Sequence, residues 1–394
     1  MLKLDELDEK VIDFYFEEIK EKVLNKIKEC KSILEGDQKI IEKVAILEVI
    51  NNIERNLKDY LIGEDLKKLI KEYSEEFLEI EIELPFEKVV IIPLKLKKNE
   101  LLERYNTICS SYFREGLTIN LKRTEIEKKV KDLNEKLKIL KNIFAHKAKK
   151  DKGKLKYKHF FKYIFDYDNI LNNKEEDEIV SLRHRVLSKL NVKTCPYCGR
   201  QYITNYNESY STADLDHFYS QSKYPYLALN IYNFIPACAV CNRNFKNDKE
   251  VKINPRIEEF GENAVFILGN EISTYMDMEL KDIDIKLDIR TSGILEELIK
   301  KDIDTFKLEE VYKVHNDYVL QMIKDITFRG NESYLESIKM LFEKDDENEV
   351  LKKLKELIRA PYEFKIRENE PLGKLTKDIL NEIEKKLEKN KFKR

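Results

Sequence analysis

Four of the six cysteines in this 394-residue chain fall into two C-x-x-C pairs, Cys195/Cys198 and Cys238/Cys241. Each pair can present two thiolates to one tetrahedral zinc ion. Four thiolates close the shell and leave no position for water, so the expected role of that zinc is structural. Pro196 and Gly199 suit a tight knuckle around the first pair. Cys30 and Cys109 stand alone in apolar helical patterns and read as ordinary buried residues.

Between the knuckles lies Asp214-Leu215-Asp216-His217, then Asn233, and Asn242 directly follows the last cysteine. Hydrolysis of a phosphodiester needs a base for water, a cation for the phosphate and leaving oxygen, and a rigid frame for both. An imidazole is partly unprotonated near neutral pH, which qualifies His217 as the base. Asp216 and Asn242 offer the hard oxygens that Mg2+ or Mn2+ prefers. Lys223, Arg243 and Lys246 surround the motif and are candidates for phosphate contact. Tyr224, Leu227 and Leu229 are expected to pack a small core beneath it.

The stretch DLDHF…YNFIPAC…CNRNFK resembles the HNH nucleases. Asp216-His217 matches that family's first motif, Asn233 its middle asparagine, and Asn242 its last position, which is His or Asn in different members. The resemblance implies a ββα-metal fold, with His217 as general base, Asp216 and Asn242 as ligands of a catalytic divalent cation, and Asn233 fixing the loop that carries His217. It implies cleavage of DNA to 5′-phosphate and 3′-hydroxyl ends. The longer string looks like the branch found in bacterial anti-phage systems such as Septu and retron-associated nucleases, with Ser220-Gln221 where that branch commonly has Pro-Lys. About sixty-five residues carry the resemblance. A DNA-cutting effector of anti-phage defence is therefore the expectation, with an RNA-cutting nuclease or a non-catalytic zinc-containing binding or scaffolding protein as alternatives.

The elements that must hold these residues read as mainly helical. Helical periodicity runs through residues 6–73, alternation near 77–97 suggests a β-hairpin, and a helix is expected over about 98–116. Apolar residues from Ile126 to Phe144 recur at steps of four and three behind a Thr124–Glu127 capping box. Residues 121–160 carry fifteen Lys/Arg against five Asp/Glu, which is either a phosphate-facing surface or a solvated helix face. The expected division is 1–120 helical with the hairpin, 121–190 basic helix and lead-in, 191–256 a zinc-stapled ββα insert, and 257–394 helical with breaks at Pro361 and Asn369–Gly373.

A formal net charge of −2 gives no overall nucleic-acid signature, and no run of about 18 uncharged apolar residues suggests a membrane span. The N-terminus lacks a signal-peptide pattern, so the cytoplasm is the default expectation. No GxxxxGK[ST] loop occurs. A nucleotide-driven trigger would then come from a protein partner such as an ATPase, and homo-oligomerisation is a further expectation of the long flanks.

Overall fold

A computed structural model describes residues 1–34, 41–74, 77–78, 95, 97–104, 118–145, 156–172, 180–206, 210–270, 283–329, 332–339, 347–367 and 370–391. Most of the expected hairpin near 77–97, most of the 98–116 helix and Cys109 lie outside these residues, and the described positions of the hairpin span, 77–78, 95 and 97, are helical. Among the described residues no helix is long and apolar enough to cross a membrane. The described residues are mainly helical with three two-stranded antiparallel sheets. It divides into two compact units that interleave along the chain: residues 8–182 with 219–233, and residues 1–7, 183–218 and 234–394.

The first unit is helical. Its helix Glu9–Leu34 buries Tyr15, Ile19, Val23, Ile27, Cys30 and Leu34, a stripe at helical spacing. Glu9 in its first turn and Lys31 in its last suit the helix dipole. That stripe packs against helices Ile41–Arg55, Leu57–Ile62, Thr118–Ala145 and Tyr157–Ile164. The basic helix begins at Thr118, upstream of the expected cap, so Thr124 is an interior residue of it. An aromatic cluster fills the centre: Tyr73 lies edge-on to Phe161 at 5.1 Å and Tyr60 is 5.5 Å from Phe165.

Segment 219–233 completes this helical core. Tyr226 reaches Tyr73 and Phe161 at 5.7 and 5.8 Å and donates to the Tyr73 carbonyl at 3.0 Å. Tyr15 donates to the carbonyl of Leu229 at 2.8 Å, and Asn230 donates to the Gly63 carbonyl at 3.0 Å. The apolar residues expected beneath the HNH-like motif thus serve the helical unit instead.

The second unit holds the four paired cysteines. A short helix, Leu182–Leu190, leads through the first knuckle to a small ribbon of β1 (Asn205–Tyr206) and β2 (Tyr210–Ser211). Strand β3 (Ala213–His217) then pairs antiparallel with β4 (Phe234–Cys238), His217 opposite Phe234 and Ala213 opposite Cys238. Pro236 sits within β4; a two-stranded sheet leaves every strand an open edge, where a missing N–H is tolerated. A π-helical turn, Val240–Lys246, follows.

Beyond the knuckles, after an irregular stretch at 247–260, the described residues form helices and an antiparallel pair, β5 (Ala264–Leu268) with β6 (Ile285–Ile289), and helix Gly373–Lys391 packs against β5. Asp378 on that helix accepts the Phe266 amide at 2.9 Å and the Lys374 ammonium at 3.0 Å. Pro361 does not break the chain: helix Glu347–Arg367 runs through it, with buried Tyr362 beside it donating to Asp325 at 2.7 Å. A proline removes one hydrogen bond from a helix, and tertiary anchorage can outweigh that loss.

Candidate metal centre

The first knuckle is built by backbone geometry. Cys195 donates its amide to the Gln201 carbonyl at 3.0 Å, and Gly199 donates to the Cys195 carbonyl at 2.8 Å. Gly199 adopts φ +63°, the left-handed region that closes such a turn at least cost to glycine. Residues distant in sequence brace it: Leu2 donates to the Pro196 carbonyl, Leu372 to the Gly199 carbonyl, and Tyr312 to the Cys198 carbonyl at 2.6 Å. The second knuckle spans the end of β4 and the start of the π-helical turn, where the Cys241 amide lies 3.5 Å from the Cys238 sulfur.

All four sulfurs lie within 4.8 Å of one another and all four residues are buried. A Zn–S bond of about 2.3 Å calls for sulfurs roughly 3.8 Å apart, so this set fits one tetrahedral ion. Burial holds the Cys195 thiol well above its usual range, while hydrogen bonds from the other three sulfurs pull Cys198 well below it. Multiple thiolates crowded out of water need a cation to neutralise them. The four cysteines together form a site able to hold a metal ion such as zinc.

Strand alternation sorts the residues beside this centre. Asp214 and Asp216 point to one face of β3, and Leu215 and His217 to the other. Asp216 is buried; it accepts the Tyr197 hydroxyl at 2.5 Å and the Lys246 ammonium at 2.8 Å. Lys246, itself 1% exposed, also donates to the His217 carbonyl at 2.7 Å. Burial pushes the Asp216 carboxyl above its ordinary value, and Lys246 and Tyr197 oppose that rise. The side chain expected to face phosphate at position 246 is therefore turned inward.

Asp214 gathers the other polar groups. The Arg243 guanidinium grips it in two-pronged fashion at 2.7 and 2.6 Å, Asn242 Nδ2 donates to it at 3.1 Å, and Arg183 approaches to 3.4 Å. Against the cost of burial, these donors hold its carboxyl below the ordinary value. Most of the Arg243 side chain is nevertheless exposed, at 68%. Asn242 is thus joined to Asp214, whereas Asp216 is engaged by Tyr197 and Lys246.

His217 is nearly buried, and its ring meets the Phe234 ring edge-on at 5.3 Å. In the helical unit, Asn233 accepts the Tyr219 amide at 2.8 Å and donates to the carbonyls of Tyr219 and Leu227, each at 3.0 Å, closing segment 219–233 on itself. Lys223 in that segment is half-buried.

Sequence reading passed over Tyr197 and Asp214 as participants. Asp214 was recognisable from the strand period, since it sits two residues before Asp216 and shares its face. Tyr197 carries no such signal beyond its place inside a C-x-x-C pair. No family model, curated protein or solved structure matches the chain.

Proposed function

We propose that the chain is an HNH-type endonuclease that hydrolyses DNA phosphodiesters, with the four-cysteine centre as its structural zinc staple. One observation carries this reading: an antiparallel strand pair followed by a short helical turn, with Asp216-His217 ending the first strand and Asn242-Arg243 on the turn, all tied to one cysteine cluster. In the proposed reaction His217 takes the proton from the attacking water, and exposed Arg243, oriented by Asp214, meets the phosphate. The resemblance implies Asp216 and Asn242 as ligands of a catalytic Mg2+ or Mn2+. Those two residues do not fit that cation as they stand, because Asp216 is already taken by Tyr197 and Lys246 while Asn242 turns to Asp214.

His217→Ala should lower DNA cleavage by at least about a hundredfold, the usual scale for loss of a general base. Zinc content and far-UV circular dichroism should be unchanged in the same preparation. Cation-dependent cutting by that variant at the parent rate would overturn the assignment. Parallel assays on RNA, with and without EDTA, separate the DNA reading from an RNA nuclease and from a binding-only protein. Service in anti-phage defence with an ATPase partner belongs to the same proposal and is tested by co-purification from the native host.

A further inference from the structure

The ribbon of β1 and β2 turns its two faces to different surroundings. On one, Asn205 donates to the Leu187 carbonyl at 3.0 Å and accepts the Ser211 hydroxyl at 2.6 Å, which ties the ribbon to helix Leu182–Leu190. On the other, Tyr206 stands directly opposite Tyr210, and residues opposite each other across a strand pair share a face. These two residues are 56% and 74% exposed, and among the described residues no hydrogen bond or ring contact engages either ring. Tyr202, 58% exposed, lies four residues before Tyr206, and its hydroxyl is bonded to Glu370. Rings so placed leave in water a large apolar area that folding normally removes from it.

The charge leading into the ribbon is one-sided. Residues 183–206 hold five Lys/Arg and no Asp/Glu, within a chain whose net charge is −2. Lys193 lies at the root of the ribbon, where its carbonyl accepts the Ile203 amide at 2.8 Å, and it is exposed. Flat rings beside cations suit an unpaired nucleic-acid strand, whose bases stack on the rings while its phosphates meet the cations. A duplex keeps its base faces stacked inside and offers only phosphates and groove edges. We propose that the outer face of the β1–β2 ribbon is a stacking platform for single-stranded nucleic acid, with Tyr206 and Tyr210 as the rings that receive bases. This goes beyond the nuclease reading and does not rest on it, because a strand can be held here without being cut. The platform is indifferent to sequence, since every base has a π-face.

The test uses the full-length, zinc-loaded chain without added divalent cation and reads the fluorescence anisotropy of labelled oligothymidylate and oligouridylate. The parent should bind at least one of them, the tighter naming the strand as DNA or RNA; binding of neither overturns the proposal. Tyr206→Ala and Tyr210→Ala should each weaken binding about fivefold or more, the scale of one lost stacked base, while Tyr206→Phe/Tyr210→Phe stays near the parent because the rings remain. On the parent itself, an abasic strand of equal length should bind at least about tenfold more weakly, and pairing the oligothymidylate with oligoadenylate should release it. Parent affinity in both alanine variants, or for the abasic strand, or for the paired duplex, overturns the proposal. If an alanine variant loses zinc or helical signal, the abasic and duplex arms on the parent decide. Self-association that disappears in the alanine variants while strand affinity holds would place a second copy on this face and also overturn it. Ring-dependent strand binding without any cation-dependent cleavage would leave the platform standing and remove the nuclease reading, whereas DNA cleavage indifferent to both alanine variants, with no strand binding, would do the reverse.

Discussion

Asp302 has no exposed surface, and its oxygens accept the amides of Lys252 at 2.9 Å and Ile253 at 2.8 Å. Burial outweighs those two donors and lifts its pKa from 3.8 to about 6. The folded chain therefore holds a proton on this carboxyl that the unfolded chain releases between those two values. Its contribution to stability is fully present below the unfolded value, falls as pH rises toward about 6, and is gone above it. Asp302→Asn removes the titration. In urea midpoints measured from pH 4.5 to 7, the stability of the parent relative to the variant should decline as pH rises and then level off. A difference that does not change with pH would show that Asp302 titrates normally.

At the scale of elements, the first knuckle depends on one left-handed residue. Any Cβ at position 199 meets both the unfavourable φ of +63° and the Tyr312 hydroxyl oxygen at 3.3 Å. Gly199→Ala should cost about 1–2 kcal/mol, the penalty of an L-residue in that region. It should also make zinc easier to extract, which a chromogenic chelator reads directly. This turn was legible in the sequence because its signal is local: a C-x-x-C-G spacing fixes ligand and glycine together. The strand ending at Asp216-His217 was expected only through the family resemblance, since no local alternation marks it. The inward turn of Lys246 was not legible, since a lysine in a polar stretch carries no mark of the direction its stem will take. Strands β5 and β6 were missed within a region whose surrounding periodicity is helical, and residues 269–284 stand between the two paired segments. Pro361 misled in the opposite sense, because a proline is a local signal and the packing that retains the helix is not.

For the whole molecule, the two units have separate cores and only one holds the cysteine cluster. Metal removal should therefore act unequally. Chelation should lower the melting temperature of the cysteine-bearing unit by on the order of 10 °C or more, given the large share of folding free energy that structural zinc supplies. The helical core around Tyr15, Tyr60 and Phe161 should melt as before. Differential scanning calorimetry would resolve this as one transition moving and one fixed; a single transition moving as a whole would mean that the units unfold together.

The threading of the chain also sets an order of assembly. Residues 8–182 acquire Tyr226 and Leu229 only after β3 has been made, and the Cys195–Cys198 turn receives its bond from Leu372 later still. Contacts between segments so far apart carry a high closure entropy and form late. On the ribosome, the helical stretch would emerge first with a hole in its aromatic centre, and the first cysteine turn would wait for a brace that is still being translated.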